Sequence, residues 1–320
     1  MPQISVIMLT YNRKALAADM IADIRGQSCA DFEFIIVDNG SNDGTAVVVD
    51  NLASQDPRLK VLHLPKSSIG CGRNAGIAVA SSKYVTFVDD DDRVDMDYLD
   101  FLLALLDGGR NDIAICGTDE SSDGVNFVPQ CIFDDQLLLG AEEGVRLLLE
   151  RKIIRAGLVG KCFSVDLLRR YPCKEDCIHE DIFTIYKYFA DAVRIALWGV
   201  PKYHFLRHGN NCSYYTTDST RWTPTEMSEY LAAFQERTVF ISKRFPSLAG
   251  FVRYSEWSYM LSMLEKIVRY ELQGFEAQRR HILTVLRTNL PEFSASCYLK
   301  DFEKEWLQLM DSVKFILNKE

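Results

Sequence analysis

Four consecutive carboxylates, Asp89-Asp90-Asp91-Asp92, follow directly on the β-branched and aromatic run Tyr84-Val85-Thr86-Phe87-Val88. Adjacent Asp side chains repel one another, and Asp is a poor former of helix and strand alike. Such a run persists where water solvates it as an acidic turn, or where a divalent cation neutralises it. On a loop at the carboxyl end of a strand, these hard oxygen ligands suit Mg²⁺ or Mn²⁺. Two other constellations carry chemistry of a different kind. Asp90-x-Asp92-x-Val94 fits the D-x-D-x-[TV] pattern of phosphohydrolases that use an Asp nucleophile. Cys173, Cys177 and His179 form a C-x₃-C-x-H cluster with three zinc-type ligands, although a structural zinc site wants a fourth.

The elements that hold these residues can be read from periodicity. Residues 4–9 form a near-continuous apolar strand of the kind buried on both faces of a parallel sheet. Leu16, Met20, Ile21 and Ile24 recur at helical spacing, which predicts a helix over 14–27. Strands are expected at 32–37, 59–64 and 84–88. Between them lie a turn-rich loop at 39–45, where Asp43 or Thr45 caps a helix running to 54, and a loop at 67–72 that feeds a helix over 73–80. Alternating strands and helices define a parallel α/β sheet, and such sheets bind ligands beyond the carboxyl ends of their strands. Thr10-Tyr11-Asn12, Asp38 and the Asp run all fall at those ends.

Composition bounds the rest. The chain has 320 residues, 48% hydrophobic and 25% charged, with a net charge of −9 that argues against a nucleic-acid partner. Residues 1–219 carry 22 Lys/Arg against 32 Asp/Glu, whereas 220–320 carry 14 against 13, so a boundary is expected near 219. Nine cysteines without a framework read as reduced thiols, and Met1 leads almost directly into the first strand. Neither a leader nor a spanning segment is expected, which points to a cytoplasmic protein, at most peripheral to the inner face of the plasma membrane.

Four motifs stand in order: Thr10-Tyr11-Asn12-Arg13, Val37 to Thr45 (V-D-N-G-S-N-D-G-T), Gly70-Cys71-Gly72-Arg73-Asn74-Ala75-Gly76, and Phe87-Val88-Asp89-Asp90-Asp91-Asp92. Over residues 3–97 the chain resembles the family 2 inverting glycosyltransferases of bacterial cell-surface polysaccharide type. Their usual forms are T-Y-N, V-D-D-G-S-x-D-x-T, G-x-x-x-A-R-N-x-G and F-L-D-x-D-D. The resemblance implies a GT-A fold, a Rossmann-like mixed sheet, and a nucleotide-sugar donor, most simply a UDP-sugar. Thr10, Tyr11, Asn12 and Arg13 would line the nucleotide, and Asp38 would accept a hydrogen bond from a uracil-type ring N–H. Gly72, Arg73 and Asn74 would hold the nucleotide and its diphosphate region, with Asn74 bracing the loop. Asp89 would approach the ribose and the metal waters, and Asp91 would bind Mn²⁺ or Mg²⁺. Asp90 is grouped with the nucleotide side although it faces elsewhere, and Asp92 supports the loop. Asn39 stands where the family often has a second Asp.

In the middle of the chain a helix is expected over 96–107, with Tyr98, Leu102, Leu103 and Leu106 inward, a strand over 112–117 and a helix over 141–152. Residues 121–133 read as either hairpin or loop. The stretch from Gly160-Lys161-Cys162-Phe163 to Glu180-Asp181 resembles the family's G-K-L-[FY] segment followed by E-D. This implies Asp181 as general base, with Glu180 as the other candidate, and adds Lys161 to the nucleotide-sugar site; without the resemblance, the pair could simply open a helix. The Tyr203 to Ser213 stretch resembles the segment that closes the catalytic domain, implying Arg207 at the diphosphate and His208 in the metal shell. Residues 220–320 read as helices over 227–245, 251–272, 275–289 and 298–317. They suit a packed appendage, a homo-oligomer interface, or contact with a membrane bearing a lipid-linked glycan acceptor. A non-catalytic binding module on the same fold is the remaining alternative.

Overall fold

A computed structural model describes residues 1–208 and 218–317. Contacts divide the chain into two compact units, Met1–Asn211 and Cys212–Glu320. The first unit opens with β1 (Ile4–Thr10), α1 (Lys14–Arg25), β2 (Phe32–Asp38), α2 (Thr45–Ala53), β3 (Leu59–His63), α3 (Ile69–Val79) and β4 (Tyr84–Asp89). It continues through β5 (Arg93–Val94), α4 (Tyr98–Leu105), β6 (Ile113–Ser121), β7 (Val128–Pro129), β8 (Gln136–Leu139) and α5 (Ala141–Glu150). The last elements are β9 (Lys161–Ser164), α6 (Val165–Arg170), α7 (Asp181–Asp191) and β10 (Ile195–Leu206).

The strands form one sheet in the order β3-β2-β1-β4-β9-β6-β10-β5, with β7 on β6 and β8 on β10. β1 to β4 are parallel, with Thr10 opposite Asp38 and Leu9 opposite Asp89. The chemistry-bearing tips are therefore brought to one edge by register alone. β9 runs antiparallel between β4 and β6, which makes the sheet mixed. Ile4, Val6, Ile7, Phe34, Ile35 and Ile36 are fully buried, as continuous apolar strands under helices on both faces must be.

Three expectations are revised. The predicted 67–72 loop ends early: Ile69 already begins α3, because the Ser68 side chain caps it, accepting from the Cys71 N–H at 3.1 Å. On α4, Leu99 and Leu105 are buried while Leu103 is only half-buried. The 121–133 stretch pairs only briefly, Val128 lying opposite Glu120.

α3 must approach its neighbours closely. A Cβ on Gly76 would lie 2.7 Å from Ile7 Cγ2, and one on Gly70 would lie 2.1 Å from the Lys174 carbonyl oxygen.

The second unit comprises α8 (Pro224–Arg244), α9 (Ala249–Arg269), α10 (Glu276–Thr288), α11 (Leu290–Ser294) and α12 (Asp301–Leu317). α8 starts three residues before the predicted 227, because Thr223 and Glu226 form a reciprocal capping box around Pro224. Tyr254, Trp257, Met260, Leu261 and Leu264 all lie in its core with Leu283 and Phe293. The buried Glu303 carboxylate is satisfied within the unit, accepting from the Tyr254 hydroxyl, the Lys300 N–H and the Ser258 hydroxyl. No helix among the described residues is long and apolar enough to cross a membrane.

Gly70→Ala should force the 173–175 backbone away from α3. A loss of about 1–3 kcal/mol is expected for such overpacking, read as a lower urea midpoint. An unchanged midpoint would show that this approach is looser than the geometry requires.

Candidate active site

The Asp run sits where β4 leaves the sheet, and its four carboxylates are met by groups from several elements. Arg13, just past β1, donates through Nη1 to Asp90 Oδ1 and Asp91 Oδ2, both at 2.8 Å. His208 Nε2 lies 3.1 Å from the same Asp91 oxygen. Asp92 turns inward: its Oδ2 accepts from the Tyr203 hydroxyl at 2.7 Å and its Oδ1 from the Leu206 N–H at 3.0 Å. Tyr203 also accepts from the Asp89 N–H at 3.1 Å, so one phenol on β10 fixes both ends of the run. Burial and the charges of Asp89 and Asp91 push the Asp92 carboxyl well above its ordinary value.

Asp89, the last residue of β4, is crowded by protein atoms yet has 45% of its side chain still meeting solvent. That crowding, together with Asp91 and Asp90, raises its pKa to about 6, against the opposing charge of Arg73. Arg73, on the second turn of α3, has Nη2 3.5 Å from Asp89 and pairs through Nη1 with Glu180. Glu180 is buried, and that burial raises its carboxyl while Arg73 opposes the shift. The next residue, Asp181, opens α7 half-exposed and accepts from the Ile182 N–H at 2.8 Å. The chain Asp89–Arg73–Glu180 therefore joins the strand-end acidic run to the start of α7.

The remaining predicted residues divide into groups. Thr10 is buried at the end of β1, and its carbonyl accepts from the Asn39 N–H at 2.9 Å. Tyr11 is exposed, with Lys66 Nζ 3.2 Å above its ring. Asn12 has a positive φ of 53°, which Asn tolerates, and its Oδ1 accepts from the Asn42 N–H. Asp38 accepts from the Ser41 N–H at 3.1 Å and lies 3.1 Å from His63 Nδ1, a contact that raises the His63 pKa. Asn39 both donates to the Ser67 carbonyl and accepts from the Ser67 N–H. A carboxylate could not make the first of these bonds, which explains Asn here. Gly72 faces β1, where a Cβ would meet the Leu9 side chain at 2.6 Å. Asn74 donates to the Cys173 carbonyl and the Glu175 carboxylate and accepts from the Cys173 N–H, tying α3 to the loop before α7.

Two residues expected at the nucleotide are engaged by protein groups. The Lys161 ammonium is buried and spent on the Gly157 and Val159 carbonyls, at 2.7 and 3.4 Å. Burial lowers its pKa to about 8, with Asp181 and Arg155 acting on it electrostatically. Arg207 donates to Glu120, which also receives Arg155. Cys173 and Cys177 face different partners, the Tyr188 hydroxyl and the Lys174 carbonyl. Among the described residues, the metal-type grouping is Asp89, Asp91 and Asp92, whose ligand atoms lie within 4.8 Å of one another. Periodicity gave no hint of Tyr203 and His63 as anchors. Tyr203 acts from within β10, 111 residues from Asp92, and His63 from the end of β3.

The Glycosyl transferase family 2 profile matches residues 5–175, over half of the chain, and the chain belongs to that family. The fold is GT-A. Residues 1–349 of TarS from S. aureus, in complex with UDP-GlcNAc, superpose with a TM-score of 0.65 at 19% identity, covering 91% of this chain and 92% of that one. The mannosyltransferase PcManGT from Pyrobaculum calidifontis, in complex with GDP-Man and Mn²⁺, gives 0.52 at 15% identity, covering 100% and 88%. EpsH of Bacillus subtilis is 26% identical over 213 residues, 65% of this chain and 61% of that protein. The GalNAc(5)-diNAcBac-PP-undecaprenol beta-1,3-glucosyltransferase of Campylobacter jejuni is 40% identical over 96 residues, 29% of this chain and 31% of that protein. The chain thus spans less than two thirds of these curated relatives.

An acid with a raised folded pKa holds its proton more tightly when folded. Its contribution favours the fold at acid pH and is lost as pH rises through the folded value. In EDTA-treated protein, Asp92→Asn should therefore gain stability relative to the parent chain between about pH 5 and pH 8. Urea unfolding at both pH values checks this, and a constant difference would contradict it.

Proposed function

We propose that this chain is a metal-dependent, inverting glycosyltransferase. It moves a sugar from a nucleotide sugar, a UDP-sugar, to a hydroxyl of a glycan or lipid-linked acceptor in cell-envelope polysaccharide synthesis, working at the inner face of the plasma membrane. The observation that carries the reading is the Asp89–Arg73–Glu180 chain beside Asp181. It joins a strand-end acidic run to the start of α7, where Asp181 is half-exposed, as donor and acceptor halves of one site require.

Asp89 and Asp91 offer hard oxygen ligands that fit a divalent ion. Mn²⁺ or Mg²⁺, when bound, supplies charge neutralisation for a diphosphate leaving group. His208 lies against Asp91 and suits the same shell. The first-strand tip, Thr10 to Arg13, and Asp38 form the wall suited to the base and ribose. Asp181 takes the proton of the attacking hydroxyl. Glu180, buried against Arg73, holds α7 in place instead. The Asp-nucleophile phosphohydrolase reading needs Asp92 as a mobile acid, and its bonds to Tyr203 and Leu206 argue against that. The second unit suits self-association or acceptor delivery.

Mn²⁺-dependent protection by UDP in a thermal-shift assay should be lost in Asp91→Asn. Asp89 would hold the ion only as the ionised carboxylate, so that protection should strengthen as pH rises through about 6. Protection by UDP that persists in Asp91→Asn would overturn the metal assignment. Asp181→Asn should cut transfer by roughly 10²-fold or more while UDP binding holds. Retained transfer would remove Asp181 as base.

A further inference from the structure

Arg155 is absent from the donor-site chemistry above, yet its surroundings are built. Its Nη2 donates to Glu120 Oε2 at 3.2 Å and to Gln130 Oε1 at 2.8 Å. Its guanidinium lies 4.6 Å over the Phe205 ring. These contacts fix the plane of the group and use only one of its nitrogens. Nε and Nη1 make no hydrogen bond among the described residues, and the side chain is 27% exposed. A guanidinium held in a fixed plane, with Nε and Nη1 unbonded among the described residues, suits a phosphate.

Its place along the chain gives that phosphate a context. Gly157, two residues on, lies against the general-base candidate: a Cβ there would be 4.0 Å from Asp181 Oδ2. Lys161 fixes the same stretch through the Gly157 and Val159 carbonyls. On the other side, β7 places Val128 opposite Glu120, the partner of Arg155. The segment around β7 is apolar and open, with Val125 78%, Phe127 37% and Val128 58% exposed. An anion site between a base and an exposed apolar segment matches an amphiphile whose phosphate joins sugar to lipid.

Resting on the transferase reading, we propose that Arg155 binds the phosphate of a lipid-linked acceptor, with Val125, Phe127 and Val128 covering the first part of its lipid. Farnesyl diphosphate, farnesol and inorganic pyrophosphate are the probes, titrated calorimetrically into protein saturated with UDP and Mn²⁺ so that the donor site is filled. Farnesyl diphosphate should bind more tightly than either fragment. Arg155→Gln should weaken it about tenfold or more, as expected for losing a charge-assisted contact, with Arg155→Lys in between. Val125→Ser with Val128→Ser should weaken farnesyl diphosphate and leave pyrophosphate unchanged; these exposed positions keep the test open should Arg155→Gln fold poorly. Farnesol binding as well as farnesyl diphosphate, or unaltered binding by a folded Arg155→Gln protein, overturns the proposal. Pyrophosphate matching farnesyl diphosphate overturns the lipid source and points to a soluble phosphate-bearing acceptor. UDP binding, measured first, fails separately if the transferase reading is wrong.

Discussion

Four carboxylates at the end of one buried strand are mutually repulsive, and the first unit is arranged around their neutralisation. No single group does this. Arg13 from the end of β1 meets Asp90 and Asp91, Arg73 from α3 meets Asp89, and Tyr203 with the Leu206 N–H from β10 meets Asp92. Groups as far apart in sequence as Arg13 and Leu206 therefore converge on four consecutive residues. Unpaired charge in such a place would be costly, and paired charge is not especially stabilising, so the arrangement reads as specification of geometry more than as a source of stability.

The same network extends to the start of α7. Arg73 is shared between Asp89 and Glu180, so a shift of α3 or of β4 is felt at the first turn of α7. Asn74, one residue along, holds the loop that leads into Glu180. Burial distinguishes the two members of the Glu180-Asp181 pair. The first is closed off against Arg73 and the second is half-exposed. The 155–161 stretch adds a further wall, tied to Glu120 through Arg155 and folded onto the Lys161 ammonium.

The second unit follows a simpler logic. α9 presents Tyr254, Trp257, Met260, Leu261 and Leu264 inward, and its partners supply Leu283 and Phe293. Glu303, the most buried of the unit's acids among the described residues, finds three donors on α9 and at the start of α12. Such a unit needs no ligand to account for its core, in contrast to the first, whose buried carboxylates cluster at the end of β4.

The strands β1 to β4, their helices and the polar tips were legible in the sequence, because continuous apolar runs ending in polar residues have few alternatives in a parallel sheet. The helices of the second unit were legible for the same reason at a period of 3.6. The short strands β5, β7 and β8 were not, since two to four residues carry no periodicity and pair only because β6 and β10 are already there. Motif order indicated Asp89, Asp91 and Asp181 but could not say which carboxylate would be buried. That depends on partners from remote segments: Tyr203 claims Asp92, Arg73 claims Glu180, Glu120 draws Arg207 to Arg155, and Lys161 turns to backbone carbonyls. Local sequence determined the elements and the chemical types at their ends. Tertiary structure decided which charges are neutralised and which remain available, because in a low-dielectric cleft a charge is defined by what lies beside it.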